Sequence, residues 1–420
     1  MKRQNIKKFP LSKKVITGLF AGAMALSIWA PASQAATPEN NRYYSIHLKS
    51  NPKKVWDVYQ NKTYDNAGIL LYDGSHGENE QFVFFPLDDG KYAIVNRNSG
   101  KPVGIGDPIA NDDGVRRMTL FNNEGLRQES WTGAPDQQWY LRNQGGNSYE
   151  IVNQGYGKVA SYAWAGTLAQ NWEYADLDES NPSDSDRVFN ISNNPFGTEN
   201  DPFEAMSLNM KYGTFSLPKL PATGTRPDVP AYNDGAGPYQ QLPQTSNSVV
   251  VGASLVPCIM VTDSQASEYT KMHNSPYYTL VKEEYWDKAA SAVIPSGATQ
   301  NISFKTGMTS TDQQKMTETL SMKVGADLGL KFGDQTASLK AEISKTLQTE
   351  ISTSNTEVTE DMVATSLTGE AGKTTGYTIY QLATKYTLKR ADGSTVSGSW
   401  IVKKQEGNNN KTNFIIIIRN

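Results

Sequence analysis

Cysteine and histidine are both scarce in this sequence. Cys258 is the single cysteine among 420 residues, and the three histidines, His47, His76 and His273, lie far apart. One thiol excludes an intrachain disulfide, and isolated histidines do not supply the clustered ligands of a zinc site. We therefore expect no metal and no cofactor, a buried Cys258, and histidines at the surface or in turns.

Short catalytic motifs are also missing. The sequence contains neither the G-x-S-x-G turn of a serine hydrolase nor a phosphate-binding glycine loop. Glu283 and Glu284 lie side by side in a Tyr/Trp-rich stretch, and adjacent strand residues point to opposite faces. Such a pair cannot flank one glycosidic bond, so we expect the protein not to be an enzyme.

Long apolar runs occur only at the N-terminus. Six basic residues precede Val15, no acidic residue precedes Glu39, and an apolar run over residues 15–30 ends in Pro-Ala-Ser-Gln-Ala. This pattern is typical of a secretory signal peptide, which we place at residues 1–35, and it predicts a secreted protein. Its removal lowers the formal net charge from −3 to −9, because all six charges are positive. An acidic chain argues against nucleic acid as a partner.

The first half of the chain is repetitive. Residues 81–96 align without a gap on residues 138–153, and a third aromatic strand follows near residues 186–191. Three such units of about fifty residues suggest a three-fold all-β domain. Their motifs resemble those of the ricin-B-type β-trefoil lectins over roughly residues 42–195. The matching segments are Trp56-Asp57-Val58, Asn79-Glu80-Gln81-Phe82, Asp136-Gln137-Gln138-Trp139 and Asp186-Arg187-Val188-Phe189.

A shallow sugar site needs an acid, an aromatic face and a polar amide. The first repeat keeps all three, as Asp57, Tyr72 and Asn79. Gly104 and Ser161 replace the acid in the second and third repeats, so no site is expected there. An alternative is that the repeat aromatics only build the core, as Trp56, Phe82, Trp139 and Phe189, and that no sugar binds.

Residues 320–347 alternate between apolar and polar side chains. Apolar residues occupy even positions before a turn at residues 333–336 and odd positions after it. This period is typical of a strand with one apolar face, and the change of parity brings both sets to one face of a hairpin in which Leu330 faces Leu339. The predicted apolar row consists of Leu320, Met322, Val324, Ala326, Leu328, Leu330, Phe332, Ala337, Leu339, Ala341 and Ile343.

Two other interpretations of this stretch stay open. A membrane-crossing strand needs about 9–11 residues, which Met322 to Phe332 supplies, but a long strand on a soluble core shows the same alternation. Leu339, Ile343 and Leu347 also have the i, i+4 spacing of an amphipathic helix. The choice between strand and helix for residues 337–351 is not decided by the pattern.

A proline-rich connector at residues 216–246 separates the two halves. Beyond it, the pieces LVPCIMV, SPYYTL and YW within residues 254–288 resemble the Bin-like (Toxin 10) family of bacterial insecticidal toxins. The resemblance implies an all-β chain: an N-terminal β-trefoil at residues 36–195, a linker at 196–250, and an elongated aerolysin-like antiparallel β domain at 251–420.

The resemblance also implies a function. Such a toxin binds a gut-cell receptor or glycan through its trefoil, forms a homo-oligomer and inserts β-hairpins into the lipid bilayer as a closed β-barrel, in some cases with a second toxin component. The signal peptide departs from family members that accumulate as parasporal crystals, which remain the alternative location. The alternative function is a secreted carbohydrate-binding protein without pore activity.

Overall fold

Strands form most of the regular structure of the protein. The computed structural model describes residues 37–106, 124–167, 170–194, 212–230, 237–403 and 414–419. The predicted signal peptide lies outside these residues. The all-β fold class is confirmed, and the strands before the connector are β1 (Ser45–Leu48), β2 (Lys54–Val58), β3 (Ile69–Asp73), β4 (Phe82–Pro86), β5 (Lys91–Asn96), β6 (Val103–Ile105), β7 (Leu126–Gln128), β8 (Trp139–Asn143), β9 (Ser148–Asn153), β10 (Val159–Thr167), β11 (Gln170–Asp178) and β12 (Phe189–Ser192).

These strands form a β-trefoil. Six of them pair in the order β1-β12-β9-β8-β5-β4, and a bridge between Tyr44 and Phe82 closes the ring. The other six form three hairpins, β2–β3, β6–β7 and β10–β11, one from each repeat. β11 also pairs with β3, which places the third-repeat hairpin beside the first-repeat hairpin.

The repeat aromatics build the trefoil core, as predicted. Trp56, Phe82, Trp139 and Phe189 are completely buried. The ring of Trp56 lies 6.0 Å from Phe82, 6.4 Å from Trp139 and 5.6 Å from Phe189, each at a steep angle. Edge-to-face contacts at these distances are favourable for aromatic pairs. Aromatic residues from all three repeats therefore meet in one central cluster.

The chain beyond the connector forms an elongated antiparallel sheet. Its order is β13-β14-β19-β20-β15-β18, with β21 also paired to β19. β14 has 18 residues, about 60 Å of extended chain. The elements are β13 (Val249–Pro257), α1 (Glu268–Asn274), β14 (Tyr277–Ile294), β15 (Thr299–Met308), α2 (Ser310–Leu320), β16 (Met322–Val324), β17 (Leu330–Phe332), α3 (Asp334–Ala337), α4 (Lys340–Leu347), β18 (Asp361–Thr368), β19 (Thr375–Lys389), β20 (Trp400–Lys403) and β21 (Phe414–Arg419).

The connector lies against this sheet in its described parts. The backbone N–H of Gly224 donates a hydrogen bond of 2.8 Å to the carbonyl of Val250 in β13. Arg226 donates from Nε to the buried Glu284 carboxylate at 2.8 Å, while Glu283 pairs with Lys385. Glu283 and Glu284 thus serve two separate ion pairs on opposite faces of β14, as the alternation predicts.

The trefoil and the second sheet share one hydrophobic cluster. Phe85 of the trefoil stacks edge-on against Tyr277 of β14 at 5.1 Å. The same cluster contains Val83, Val95 and Trp131 from the trefoil, and Val256, Leu280, Leu320, Ile343 and Leu347 from the second half. The described residues, from 37 onward, belong to one compact unit. Separating the two halves therefore exposes apolar surface, which is unfavourable in water.

Three predictions about individual residues have different outcomes in the structure. Cys258 is buried, as predicted, with its sulfur 3.5 Å from that of Met272. The expectation for His47 is wrong, because its ring is buried between the Ser45 hydroxyl at 2.6 Å and the Pro52 carbonyl at 2.7 Å. The apolar run at residues 414–418, whose sequence predicts a buried strand, forms β21, but Ile418 is exposed.

Candidate functional sites

The acid and the amide of the predicted sugar site lie together. Asp57 on β2 points away from the core because its neighbour Trp56 points into it. The Asn79 side-chain amide donates to Oδ2 of Asp57 at 2.9 Å and lies 3.3 Å from the carbonyl of Val58. Asn79 is itself fixed, since its carbonyl accepts from the Asn96 amide at 2.8 Å. Each side chain is held in one orientation.

Tyr72 lies on the same face of the first-repeat hairpin. Asp57 is paired with Leu70, and Tyr72 follows two residues later on β3. Side chains two residues apart in a strand point to the same side. Tyr72 is 60% exposed whereas Asp57 is 7% exposed, so an exposed ring stands beside a recessed carboxyl. The arrangement has the acid, amide and aromatic face that a sugar ring requires.

Glu80 is a component of this site that the sequence did not single out. It is 1% exposed, and its carboxylate accepts from the backbone N–H of Ser75 at 2.8 Å and of His76 at 2.7 Å. These bonds hold the loop between Tyr72 and Asn79. The pKa of Asp57 is raised to about 7, mainly by burial and also by the nearby Glu80, while the hydrogen bond from Asn79 acts to lower it.

The second and third repeats do not reproduce this arrangement. Gly104 stands where an acid would, and the Glu129 carboxylate fills the space beside it. In the third repeat the Ser161 hydroxyl replaces the acid, and the Asp186 carboxylate accepts a hydrogen bond of 2.5 Å from the Ser50 hydroxyl. Neither repeat therefore has an acid at the position that Asp57 occupies in the first, and sugar binding by the first repeat alone stays a prediction.

The predicted membrane hairpin is not a hairpin in this structure. The strand assignment for residues 320–347 is wrong: Leu320 ends α2, β16 and β17 form a short pair, and α3 and α4 follow. Met322 pairs with Phe332 and Val324 with Leu330, so Leu330 does not face Leu339. The helical alternative for residues 337–351 is correct from Lys340 to Leu347.

Contacts distant in sequence explain this difference. The turn between β16 and β17 is held by Asp327, whose carboxylate accepts from the Ser352 hydroxyl at 2.7 Å and the Thr353 backbone N–H at 2.9 Å. Leu328 takes a left-handed φ of 63° within that turn. After it, Ile343 and Leu347 bury the apolar side of α4 in the shared cluster. Packing therefore decides between two periodicities that the sequence contains together.

Burial of the predicted insertion residues is uneven. Leu320, Met322, Val324, Leu330, Leu339 and Ile343 are buried, whereas Leu328, Phe332 and Ala337 are partly covered and Ala326 and Ala341 are exposed. The large apolar side chains of this row are thus mainly covered by protein. We name residues 309–360, which connect β15 to β18, the insert.

Metal sites and membrane-spanning helices are both absent from the described residues. No group of three or more His, Cys, Asp or Glu side chains among them is placed to hold a metal ion. In the same part of the chain, no helix combines the length and apolar character required to cross a membrane.

Comparison with known proteins identifies the relatives. Residues 249–407 match the family described as Insecticidal Crystal Toxin, P42, and residues 28–119 and 78–172 match the ricin-type β-trefoil lectin-like domain. The binary larvicide subunit BinA of Lysinibacillus sphaericus is 28% identical over 363 residues, covering 85% of this chain and 84% of that protein. The chain is a relative of the Bin-like insecticidal toxins.

Two further insecticidal toxins and one solved structure are also similar to this chain. Subunit BinB of L. sphaericus is 27% identical over 334 residues, covering 79% of this chain and 69% of BinB. Insecticidal crystal protein Cry35Ab1 of Bacillus thuringiensis is 26% identical over 302 residues, covering 69% and 68%. The crystal structure of Cry35Ab1 superposes with a TM-score of 0.70 over 90% of both chains at 19% identity, which establishes the shared fold. These relatives are toxins by name, not enzymes.

Proposed function

We propose that this protein is an insecticidal toxin that binds a glycan or glycosylated receptor on gut cells through its trefoil, oligomerises, and inserts a β-hairpin made from the insert. The observation that carries the membrane step is the pairing of the two strands that flank the insert. β15 and β18 are antiparallel partners, with Thr299 opposite Thr368 and Thr306 opposite Asp361. The insert is thus already closed at its base by a strand ladder.

Continuing that ladder through the insert defines a hairpin. In the same register, each residue that follows Thr306 on the first strand pairs with a residue that precedes Asp361 by the same number of positions. The two sides meet at Gly333 and Asp334, which become a two-residue turn. Glycine first in such a turn is the requirement of type II′, a common connection of β-hairpins. The strand pairing and the turn residue therefore agree.

This register differs by two residues from the register that the sequence alternation predicts. Leu328 now faces Leu339, Val324 faces Ile343 and Leu320 faces Leu347, so the apolar row stays on one face. On the polar face Asp327 moves from opposite Glu342 to opposite Lys340. Opposite charges across a strand pair are favourable and like charges are not. The ladder register is therefore the better of the two.

The apolar row has the length of a membrane crossing. Leu320 to Phe332 covers thirteen positions, and a tilted strand needs about 9–11. Ala326 and Ala341 face each other at its centre. Lys345 falls opposite Met322 near one end of the row, where a long side chain can reach the membrane surface. Beyond the row both strands of the insert are mainly polar, with Met316, Ile351 and Val358 as the apolar exceptions.

One hairpin cannot satisfy its edge N–H and C=O groups in lipid. Several copies must therefore close on one another, which makes the active species a homo-oligomer. The relatives include two subunits that are named as parts of a binary larvicide, which supports a second toxin component for this chain. Export through the N-terminal signal sequence is part of the same proposal.

Two neighbouring positions of α4 provide the test. Ala341 and Glu342 are both exposed, so arginine at either position leaves the packed core untouched. In the hairpin, residue 341 faces lipid at the bilayer centre and residue 342 faces the aqueous channel. Arginine facing lipid costs about 2–4 kcal/mol in each chain of the oligomer. Ala341→Arg is expected to abolish dye release from gut-membrane vesicles, whereas Glu342→Arg retains it.

Dye release is measured with and without protease treatment, beside near-ultraviolet circular dichroism of both variants. If Ala341→Arg released as much dye as the wild-type protein, the result would contradict the proposed hairpin. Loss of release in both folded variants would contradict its register. A wild-type protein that binds gut glycans but never releases dye would be a carbohydrate-binding protein without pore activity.

A further inference from the structure

The neighbour of the predicted sugar site is a hairpin from a different repeat. β11 pairs with β3 through Tyr174 and Leu70, and Leu70 is also the partner of Asp57. Asp57, Leu70 and Tyr174 therefore form one row across three adjacent strands, with side chains on the same side. The strand spacing places β11 roughly 10 Å from β2. Both hairpins thus contribute to the surface around Asp57.

This surface carries a second aromatic group. Tyr59, Leu70 and Tyr174 form a small hydrophobic cluster, and Trp172 packs against it. Trp172 is two residues from Tyr174, so it points to the same side as Tyr174 and Tyr72. Its ring lies 5.7 Å from that of Tyr59 in an edge-on contact and is only partly buried. The cluster therefore holds Trp172 in place while leaving part of it accessible.

The opposite side of the same hairpin carries a different tryptophan. Trp164 on β10 is 63% exposed and is paired with Glu173, not with Trp172. Residues 172 and 173 are adjacent on β11 and point to opposite faces. Trp164 thus lies on the other face of the hairpin from Trp172. The two tryptophans are a matched pair, one beside the Asp57 site and one away from it.

We propose that the sugar site is composite: Asp57, Asn79 and Tyr72 hold one sugar unit, and Trp172 of the third repeat stacks on the next. This inference rests on the proposed glycan recognition by the trefoil. The ligand is an oligosaccharide of at least two units, because the surface offers two aromatic rings on different strands, Tyr72 and Trp172, and each can stack on one sugar ring. It is uncharged, because the acids Asp57 and Glu80 disfavour an anionic sugar, and Lys54, which lies beside the Tyr72 ring, is already paired with Asp73 and Glu173.

The experiment uses an array of uncharged mono-, di-, tri- and tetrasaccharides built from glucose, galactose, mannose and N-acetylhexosamines. Wild-type protein is expected to prefer a di- or trisaccharide over its component monosaccharide by roughly five- to tenfold, as for one aromatic stacking contact. Trp172→Ala removes that preference and leaves monosaccharide binding unchanged. Trp164→Ala changes neither. Asp57→Ala weakens binding of all lengths.

Trp172→Phe is the control for a folding defect in Trp172→Ala. It keeps a ring against Tyr59 and is expected to retain most of the preference for oligosaccharides. Equal binding of wild type and Trp172→Ala to oligosaccharides would overturn the composite site while leaving glycan recognition intact. Loss of the preference in Trp164→Ala instead would place the second subsite on the other face, which also overturns it. Wild-type protein that binds no sugar on the array would refute glycan recognition itself.

Discussion

The indole N–H of Trp131, in the trefoil, donates a hydrogen bond of 2.7 Å to the backbone carbonyl of Gln335, in the insert. Gln335 directly follows the two residues that form the turn of the proposed membrane hairpin. A second contact lies nearby, because the backbone N–H of Asp88 donates to the carbonyl of Ser338 at 2.8 Å. The trefoil therefore holds the segment that, in the proposed mechanism, crosses the membrane first.

A disulfide across this contact should stop pore formation. Asp88→Cys with Ser338→Cys introduces two thiols in residues joined by a backbone hydrogen bond, a separation that suits a disulfide. The native Cys258 is buried and does not compete. We expect the oxidised double variant to bind gut membranes without releasing dye, and reduction to restore release. Dye release before and after a reducing agent is the measurement.

The two single variants, treated with the same oxidant, are the controls and should release dye throughout. Undiminished release by the oxidised double variant would mean that the insert reaches the membrane without leaving the trefoil.

The trefoil was predictable because its repeats encode its core locally. Phe82, Trp139 and Phe189 recur at equivalent positions of the three units, and Trp56 of the first unit joins them in the same cluster. The site residues Asp57 and Asn79 follow from the same motif. Trp172 did not follow, because the pairing of β11 with β3 brings it to the site from another repeat. A motif read within one repeat cannot include such a residue.

The insert could not be predicted in the same way, because its sequence fits two structures. Ile343 and Leu347 satisfy both the odd-position row of a strand and the i, i+4 spacing of a helix. The helix forms here because both side chains enter the shared cluster. The turn at Asp327 depends on Ser352, 25 residues away. We interpret the double pattern as the sequence signature of a segment with two folded states.

The proposed secretion predicts a defined N-terminus. The mature protein should begin at Ala36, because Ser33 and Ala35 give the small-residue pattern of a signal-peptidase site. N-terminal sequencing of protein from culture supernatant is the measurement, and Ala35→Trp, which blocks such a site, is the control that should keep the protein with the cells. Recovery of the intact Met1 form only from sporulating cells would restore the crystal route.

Replacing the buried thiol should affect stability more than activity. Burial raises the pKa of Cys258 to about 12, so the group stays protonated and inert at physiological pH. Cys258→Ser places a hydroxyl in an apolar cluster and should lower the free energy of unfolding by about 1–3 kcal/mol. Cys258→Ala, without the hydroxyl, is the matched comparison. Urea denaturation measures the loss, and a folded Cys258→Ser protein unable to release dye would reveal a role for the thiol.

The recessed carboxyl of Asp57 should make trefoil stability depend on pH. Burial, with a further contribution from Glu80, raises the pKa of Asp57 from 3.8 to about 7. The folded state therefore holds this proton more tightly than the unfolded state, and stability falls as pH rises from about 4 to about 7. Above that range the carboxyl is ionised in both states, and the stability lost between pH 4 and 7 is not regained.

Asp57→Asn should remove this dependence. The asparagine oxygen can still accept from Asn79, but the side chain never ionises beside Glu80. The variant should gain stability over wild type as pH rises from 4 to 7, with a constant difference above 7, measured by urea denaturation at several pH values. Asp65→Asn is the control: although burial acts to raise its pKa, Lys101 at 2.5 Å lowers the pKa of Asp65, so that variant should lose stability instead. A pH-independent difference between Asp57→Asn and wild type would mean that Asp57 ionises at its ordinary pH despite its burial.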